Sequence, residues 1–310
     1  MATSVEANAA PLPPRAAPEE KRRTKSRIGI SGWISIGWLG FITIVSVLAP
    51  VLPLRPPVGP DAPDFEHIGV GPFTGGHLLG TDDIGRDVLS RLVWGSRASL
   101  LVAVGAVLFG VLVGGLFGLI AGYIGGRTDT VFTSMFNIFL AFPQLVLALT
   151  LVSVLSPGTP GNPTTWSGRV SVMIFAIGLV SVPILGRITR SSALTWSQRE
   201  FVTAARAQGA TQRSTMFREV LPNVVPAMLS IALLGVALVI VIEGGLAIFG
   251  LSVPEPNPSW GNMIQSQLQA FETYPHVWLA PSIAIFVTVL ALNFVGDLVR
   301  RLFDVRESVL

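Results

Sequence analysis

Glu243 is the one acidic residue deep within a long apolar run, and Gly244 and Gly245 follow it directly. A carboxylate in hydrocarbon is costly, so it must face the protein interior or an aqueous path. There it either hydrogen-bonds neighbouring helices or lines a translocation path, and Asn293 and Asp297, toward the end of the last apolar run, have the same two readings. Other reactive groups are sparse. His67, His77 and His276 fall in polar connecting segments with no metal-ligand spacing, which argues against a zinc site made within the chain. With no cysteine there is no disulfide framework or thiolate ligand. No phosphate-cradling glycine loop appears, and residues 69–72 lack the third glycine and the strand-helix setting of a dinucleotide site. No serine-histidine-acid set can be assembled from the order of residues. Catalytic, cofactor-binding and metal-binding residues are therefore all expected to be absent from this chain.

The most informative polar segment runs from Arg199 to Asn223. An Ala-rich stretch, Thr203, Ala204 and Ala205, ends at Gly209, suited to a left-handed helix stop, and Thr211 can cap a second helix leading to Leu221 and Pro222. Two short helices joined by a glycine turn make a compact projection; an amphipathic loop resting on lipid headgroups would have the same pattern.

These residues must be carried by membrane helices. Half of the 310 residues are hydrophobic and only 13% are charged, against about a quarter in an ordinary soluble domain. Apolar runs at 33–52, 99–124, 131–155, 170–188, 225–251 and 278–299 are each long enough to cross a bilayer, so an all-α polytopic protein with six transmembrane helices is expected. The first run is too long for a signal-peptide core and lacks a cleavage pattern. Pro143 and Pro183 fall inside two runs and should kink them. With the N-terminus in the cytoplasm, 16 of the 21 basic residues lie inside and five outside, so both termini are expected in the cytoplasm of a multi-pass inner-membrane protein. The expected organisation is a disordered tail over 1–27, the first span and an external loop over 28–98, a five-span core over 99–306 with a cytoplasmic loop at 189–224, and a short tail over 307–310.

Gly110, Gly114, Gly118 and Gly122 recur every fourth residue and form a small-residue ridge where another helix can approach closely, in this chain or in a second subunit. Residues 81–87 lead into Val88, Leu89, Leu92, Val93 and Trp94, which are apolar at helical spacing. They are expected to form an amphipathic helix on the outer membrane surface, either a scaffold for the second span or a docking surface.

The 199–223 segment resembles the signature loop of ABC importer permeases: Ala204, Ala205, Gly209, Leu221 and Pro222 match at its spacing, whereas Thr203 stands where a glutamate is usual. Residues 77–87, 258–263 and 293–297 look like the "C" permease of dipeptide, oligopeptide and nickel importers. The resemblance implies a type I ABC importer permease fold and a non-catalytic transport role. It also implies a heterodimer with a homologous "B" permease, two P-loop ATPases that bind ATP and Mg, and an extracytoplasmic substrate-binding protein. Membrane lipid is a partner and nucleic acid is not. Short peptides are the expected cargo, with nickel chelate, haem or a glutathione-like solute as alternatives. A secondary transporter should show coupling-ion residues in broken midplane helices and an internal repeat, and a membrane-embedded enzyme a catalytic cluster; neither pattern is visible.

Overall fold

The computed structural model describes residues 29–156 and 165–307, with side chains through Phe303. The expected N-terminal tail, and the C-terminal tail from 308, lie outside the described residues. The described chain is helical, with only isolated bridges at Pro63–Arg86, Thr74–His77 and Thr81–Asp87. Five helices are long and apolar enough to span a membrane: α1 (Ile30–Leu48), α2 (Val88–Ile124), α5 (Trp166–Ser197), α8 (Leu221–Ile248, continuous with the short helix before it) and α10 (Pro275–Glu307).

The third expected span is sharply bent. It is two helices, α3 (Gly126–Leu140) and α4 (Gln144–Leu155), meeting at 85°. Pro143 has no amide to donate and disfavours helical backbone at Phe142, so the chain leaves the helix there and Pro143 becomes the N-cap of α4. Pro183, by contrast, stays inside α5, where tight packing on both sides holds the helix together.

That packing is the glycine ridge. A Cβ placed at Gly114 would lie 2.3 Å from the Val182 carbonyl oxygen, at Gly118 2.2 Å from that of Gly186, and at Gly122 2.5 Å from that of Arg190. The ridge therefore serves contact within the chain, backbone to backbone against α5. On the other side of α5, a Cβ at Gly186 would meet the Phe136 ring of α3 at 2.4 Å. Lipid supplies no hydrophobic drive for helix association, so such close approach is how spans hold together. The main core joins α2, α5, α8 and α10 around Val102, Ala106, Ile177 and Ile240, while Phe286, Leu112 and Ile44 point outward.

The two ends of the bundle differ. At one, here the loop end, the polar segment between α5 and α8 projects. At the other, the cap end, residues 49–87 and 251–274 fold over the helices. The helix expected to lie on the membrane surface is not separate: Val88–Trp94 is the start of α2, and Val88 and Arg91 are buried beneath the cap. At 37 residues, α2 is about 55 Å long, well beyond a hydrocarbon core, so its first turns belong to the cap.

Candidate functional site

At the loop end, α6 (Glu200–Ala207) closes on Gly209, whose φ is 88°. The Gly209 amide donates to the Arg206 carbonyl and the Ala210 amide to the Ala205 carbonyl, both at 3.0 Å, the paired bonds of a Schellman stop. Thr211 then caps α7 (Gln212–Thr215), its hydroxyl accepting from the Ser214 amide. A wide π turn, Met216–Val220, leads into α8 immediately before Pro222. A proline ring clashes with the carbonyl four residues earlier, here that of Arg218, and the wider turn opens the backbone at that place. Asn223 Nδ2 takes up the Glu219 carbonyl at 2.6 Å.

The projection is anchored from below. Val202 is fully buried with Leu119, Ala193, Val220 and Val224, and the Arg206 guanidinium lies 5.0 Å from the Tyr123 ring centroid at the end of α2. Thr203, Ala204, Gly209 and Pro222 are exposed, and Ala205 and Leu221 are half-buried. Around the turn, Phe201 and Phe217 present exposed rings. The projection is thus compact and anchored at its base, and it presents small residues and two aromatic rings among exposed arginines.

Behind it, a cavity of about 600 Å³ opens between α5, α8 and α10. Asp297 lines it together with Arg300, Asn223, Ser192 and Ser230. Asn293, one turn away, turns its amide back to the Val289 carbonyl at 2.7 Å and does not reach the cavity. Glu243 is elsewhere. It lies near the cap end of α8, fully buried, accepting hydrogen bonds from Ser99 at 3.1 Å, Ser259 at 2.8 Å and Ser252. Of its two readings from sequence, the geometry matches packing: a saturated carboxylate apart from the cavity.

The same nest receives α9 (Trp260–Gln265). Ser259 and Asn262 form a capping box, and Asn262 Nδ2 donates to the carbonyls of Val253 and Asn257. Trp260 is wholly buried, its ring nitrogen donating to the Leu92 carbonyl and its amide to Ser99. A Cβ at Gly261 would lie 2.9 Å from the Gly244 Cα, so α9 approaches α8 closely there only because residue 261 has no side chain.

Beside α9, Asp82 binds the Arg86 amide and guanidinium, and Arg86 reaches Glu255 at 2.8 Å, as Arg91 does at 3.2 Å. Burial disfavours the Arg86 cation, but the Asp82 and Glu255 carboxylates outweigh it and hold its pKa above the usual value. Gly80 and Gly85, both at positive φ, and the Asp82 side chain bend residues 80–86 into turns, so the helix starts only after Asp87, which caps it through the Ser90 amide at 2.7 Å.

The cap also brings two of the histidines together. Sequence spacing gave no ligand set, yet the cap folds His67 and His77 onto Asp64 with ligand atoms within 4.8 Å of one another. The Arg55 guanidinium hydrogen-bonded to it holds the Asp64 carboxyl well below the usual carboxylate range.

The profile of the family described as binding-protein-dependent transport system inner membrane component matches residues 114–309. The chain belongs to this family. The permease is 36% identical over 228 residues to the dipeptide transport system permease protein DppC of Alkalihalophilus pseudofirmus, covering 74% of this chain and 71% of that one. It is 37% identical to the di/tripeptide transport system permease protein DppC of Pseudomonas aeruginosa, over 73% and 71% of the two chains. It is 32% identical to the glutathione transport system permease protein GsiD of Pectobacterium atrosepticum, over 78% and 76%. Among solved structures it resembles the inward-facing MetNI methionine ABC transporter, with a TM-score of 0.53 at 18% identity over 68% of this chain and 95% of that one. That likeness is one of fold. The matched family region contains the projecting loop, Glu243, α9 and the cavity, and leaves most of the cap outside it.

Proposed function

We propose that this permease forms half of the translocation path of an ATP-driven importer of short peptides, and that the α6–α7 projection is the element through which ATP hydrolysis drives it. The observation that carries the reading is the projection itself: an exposed, glycine-stopped pair of short helices whose base is packed on α2 and α5 and whose far end runs directly into α8. A push on such a lever is transmitted to the spans rather than absorbed in a slack loop.

The partners in this reading are a homologous "B" permease, two P-loop ATPases that bind ATP and Mg, and an extracytoplasmic binding protein that delivers the substrate. The loop end faces the cytoplasm, as the clustering there of Arg187, Arg190, Arg199, Arg206, Arg213 and Arg218 supports. The cavity at Asp297 then belongs to the inward-open side of the path. Peptides are the cargo favoured by the dipeptide and di/tripeptide permeases it resembles. ATPase closure would move the projection, and the helix bundle would alternate between inward- and outward-open packings.

Purification from native membranes in mild detergent, with identification of whatever comes with the chain, tests the assembly. Recovery of a second permease and P-loop ATPases in fixed proportion is expected; a lone chain that still transports would overturn it. Uptake of labelled dipeptides by the reconstituted complex, with and without the binding protein, tests the cargo, and competition by glutathione but not by peptides would reassign it.

A further inference from the structure

The cap gathers groups that the transport reading does not use. His77 is wholly buried, and its Nδ1 lies 2.8 Å from Asp87 Oδ1. A carboxylate can only accept, so Nδ1 carries the proton and, in the neutral ring, Nε2 presents a lone pair. That lone pair faces Asp64 Oδ2 at 3.2 Å, a second acceptor, while the Arg55 guanidinium approaches both, 3.0 Å from Nε2 and 2.9 Å from Oδ2. His67 Nδ1 reaches the same Oδ2 at 3.2 Å. In the neutral ring, Nε2 and Oδ2 are thus two acceptors turned toward one shared cation, an arrangement that a metal ion also satisfies.

The structure assigns to Asp64, His67 and His77 a binding site for a divalent transition-metal ion, of which Zn²⁺ is the simplest example. Zinc bonds of about 2.0–2.1 Å place neighbouring tetrahedral ligands about 3.3 Å apart. The two contacts to Asp64 Oδ2, each 3.2 Å, already have that spacing, and all three ligand atoms lie within 4.8 Å. Asp87 supplies the outer carboxylate that orients a metal-binding histidine and raises its basicity. Two imidazoles and one carboxylate suit zinc and its neighbours rather than calcium or magnesium, and they leave a coordination position open. Arg55, whose side chain is 44% exposed, is free to swing outward when the metal enters. His67, 36% exposed, provides the way in.

Bound metal would tie residues 64–67 to residue 77 and, through Asp87, to the first turn of α2. The site thus locks the cap onto the longest span, independently of what the permease carries.

The test is Zn²⁺ titration of the full-length chain, purified without an affinity tag, by competition with a chromophoric chelator. One Zn²⁺ per chain is expected. His67→Ala should weaken binding at least about tenfold, as loss of a ligand demands. Arg55→Ala should instead tighten it about fivefold or more, because the competing cation is gone. Each variant is first shown to be folded by its elution and thermal transition, and Arg55→Gln replaces Arg55→Ala if the latter is not. X-ray absorption should give two imidazole nitrogens and one oxygen from the protein. No zinc at micromolar concentration, unchanged affinity in His67→Ala, or failure of the Arg55 variant to bind more tightly would each overturn the assignment.

Discussion

Gly209 offers the sharpest test of the projecting loop. Its φ of 88° lies in the left-handed region, and a Cβ placed there meets nothing within 4 Å. Substitution by alanine therefore costs only backbone strain, about 1–2 kcal/mol. Asparagine, which tolerates this conformation, should cost less, and valine more. Proline fixes φ near −65° and removes the amide that donates to the Arg206 carbonyl, so the turn cannot form. Since about 1.4 kcal/mol is a factor of ten, the alanine variant should dock its ATPase roughly tenfold more weakly and the asparagine variant close to normally. Membrane insertion and folding of the spans should be retained in all four, because Gly209 is exposed and the strain is released by local unwinding of the turn, which docking must then reverse. The assay is binding-protein-stimulated ATP hydrolysis and peptide uptake in proteoliposomes, beside ATPase retention on the immobilised permease. The order glycine, asparagine, alanine, valine, proline is expected in both. Normal uptake by Gly209→Pro, or equal losses for asparagine and valine, would refute the argument that backbone geometry at this turn transmits the stroke.

Three further outcomes follow from the packing. Glu243→Gln should keep an acceptor for the serines and transport normally, whereas Glu243→Ala should strand buried hydroxyls and lower stability by about 3 kcal/mol in detergent denaturation; a transport defect in a stable Gln variant would place Glu243 in the path. Gly118→Val should cost at least about 3 kcal/mol, since its Cβ would sit 2.2 Å from the Gly186 oxygen, and should show as loss of folded chain by fluorescence-detected gel filtration. Gly244→Ala meets no atom within 4 Å and should leave the thermal transition unchanged or raise it slightly, as alanine is the better helix former.

Much of the architecture was legible because lipid imposes local rules. A span must be apolar for about 20 residues, so the runs at 99–124, 225–251 and 278–299 announced helices without tertiary information. The loop stop at Gly209 and the cap at Thr211 were equally local, since each is made by neighbours within a few residues. The glycine ridge announced a close contact through its spacing, but not with which helix: that choice depends on the path of α5, which places the Val182 and Gly186 carbonyls against it.

Only the folded chain decided the rest. The run at 131–155 reads as one span by composition, yet Pro143 and the packing of Phe136 under Gly186 fold it into two helices at 85°. Glu243 looked like a lone acid in hydrocarbon because its partners, Ser99, Ser252 and Ser259, come from a different helix and from the cap, and no period in the sequence connects them. His67 and His77 carried no ligand signature, because turns at Gly69, Gly75, Gly76 and Gly80, all at positive φ, bring their rings together. Periodicity and caps are short-range and survive in the order of residues. Buried polar networks are closed through space by loops, and only the tertiary structure determines them.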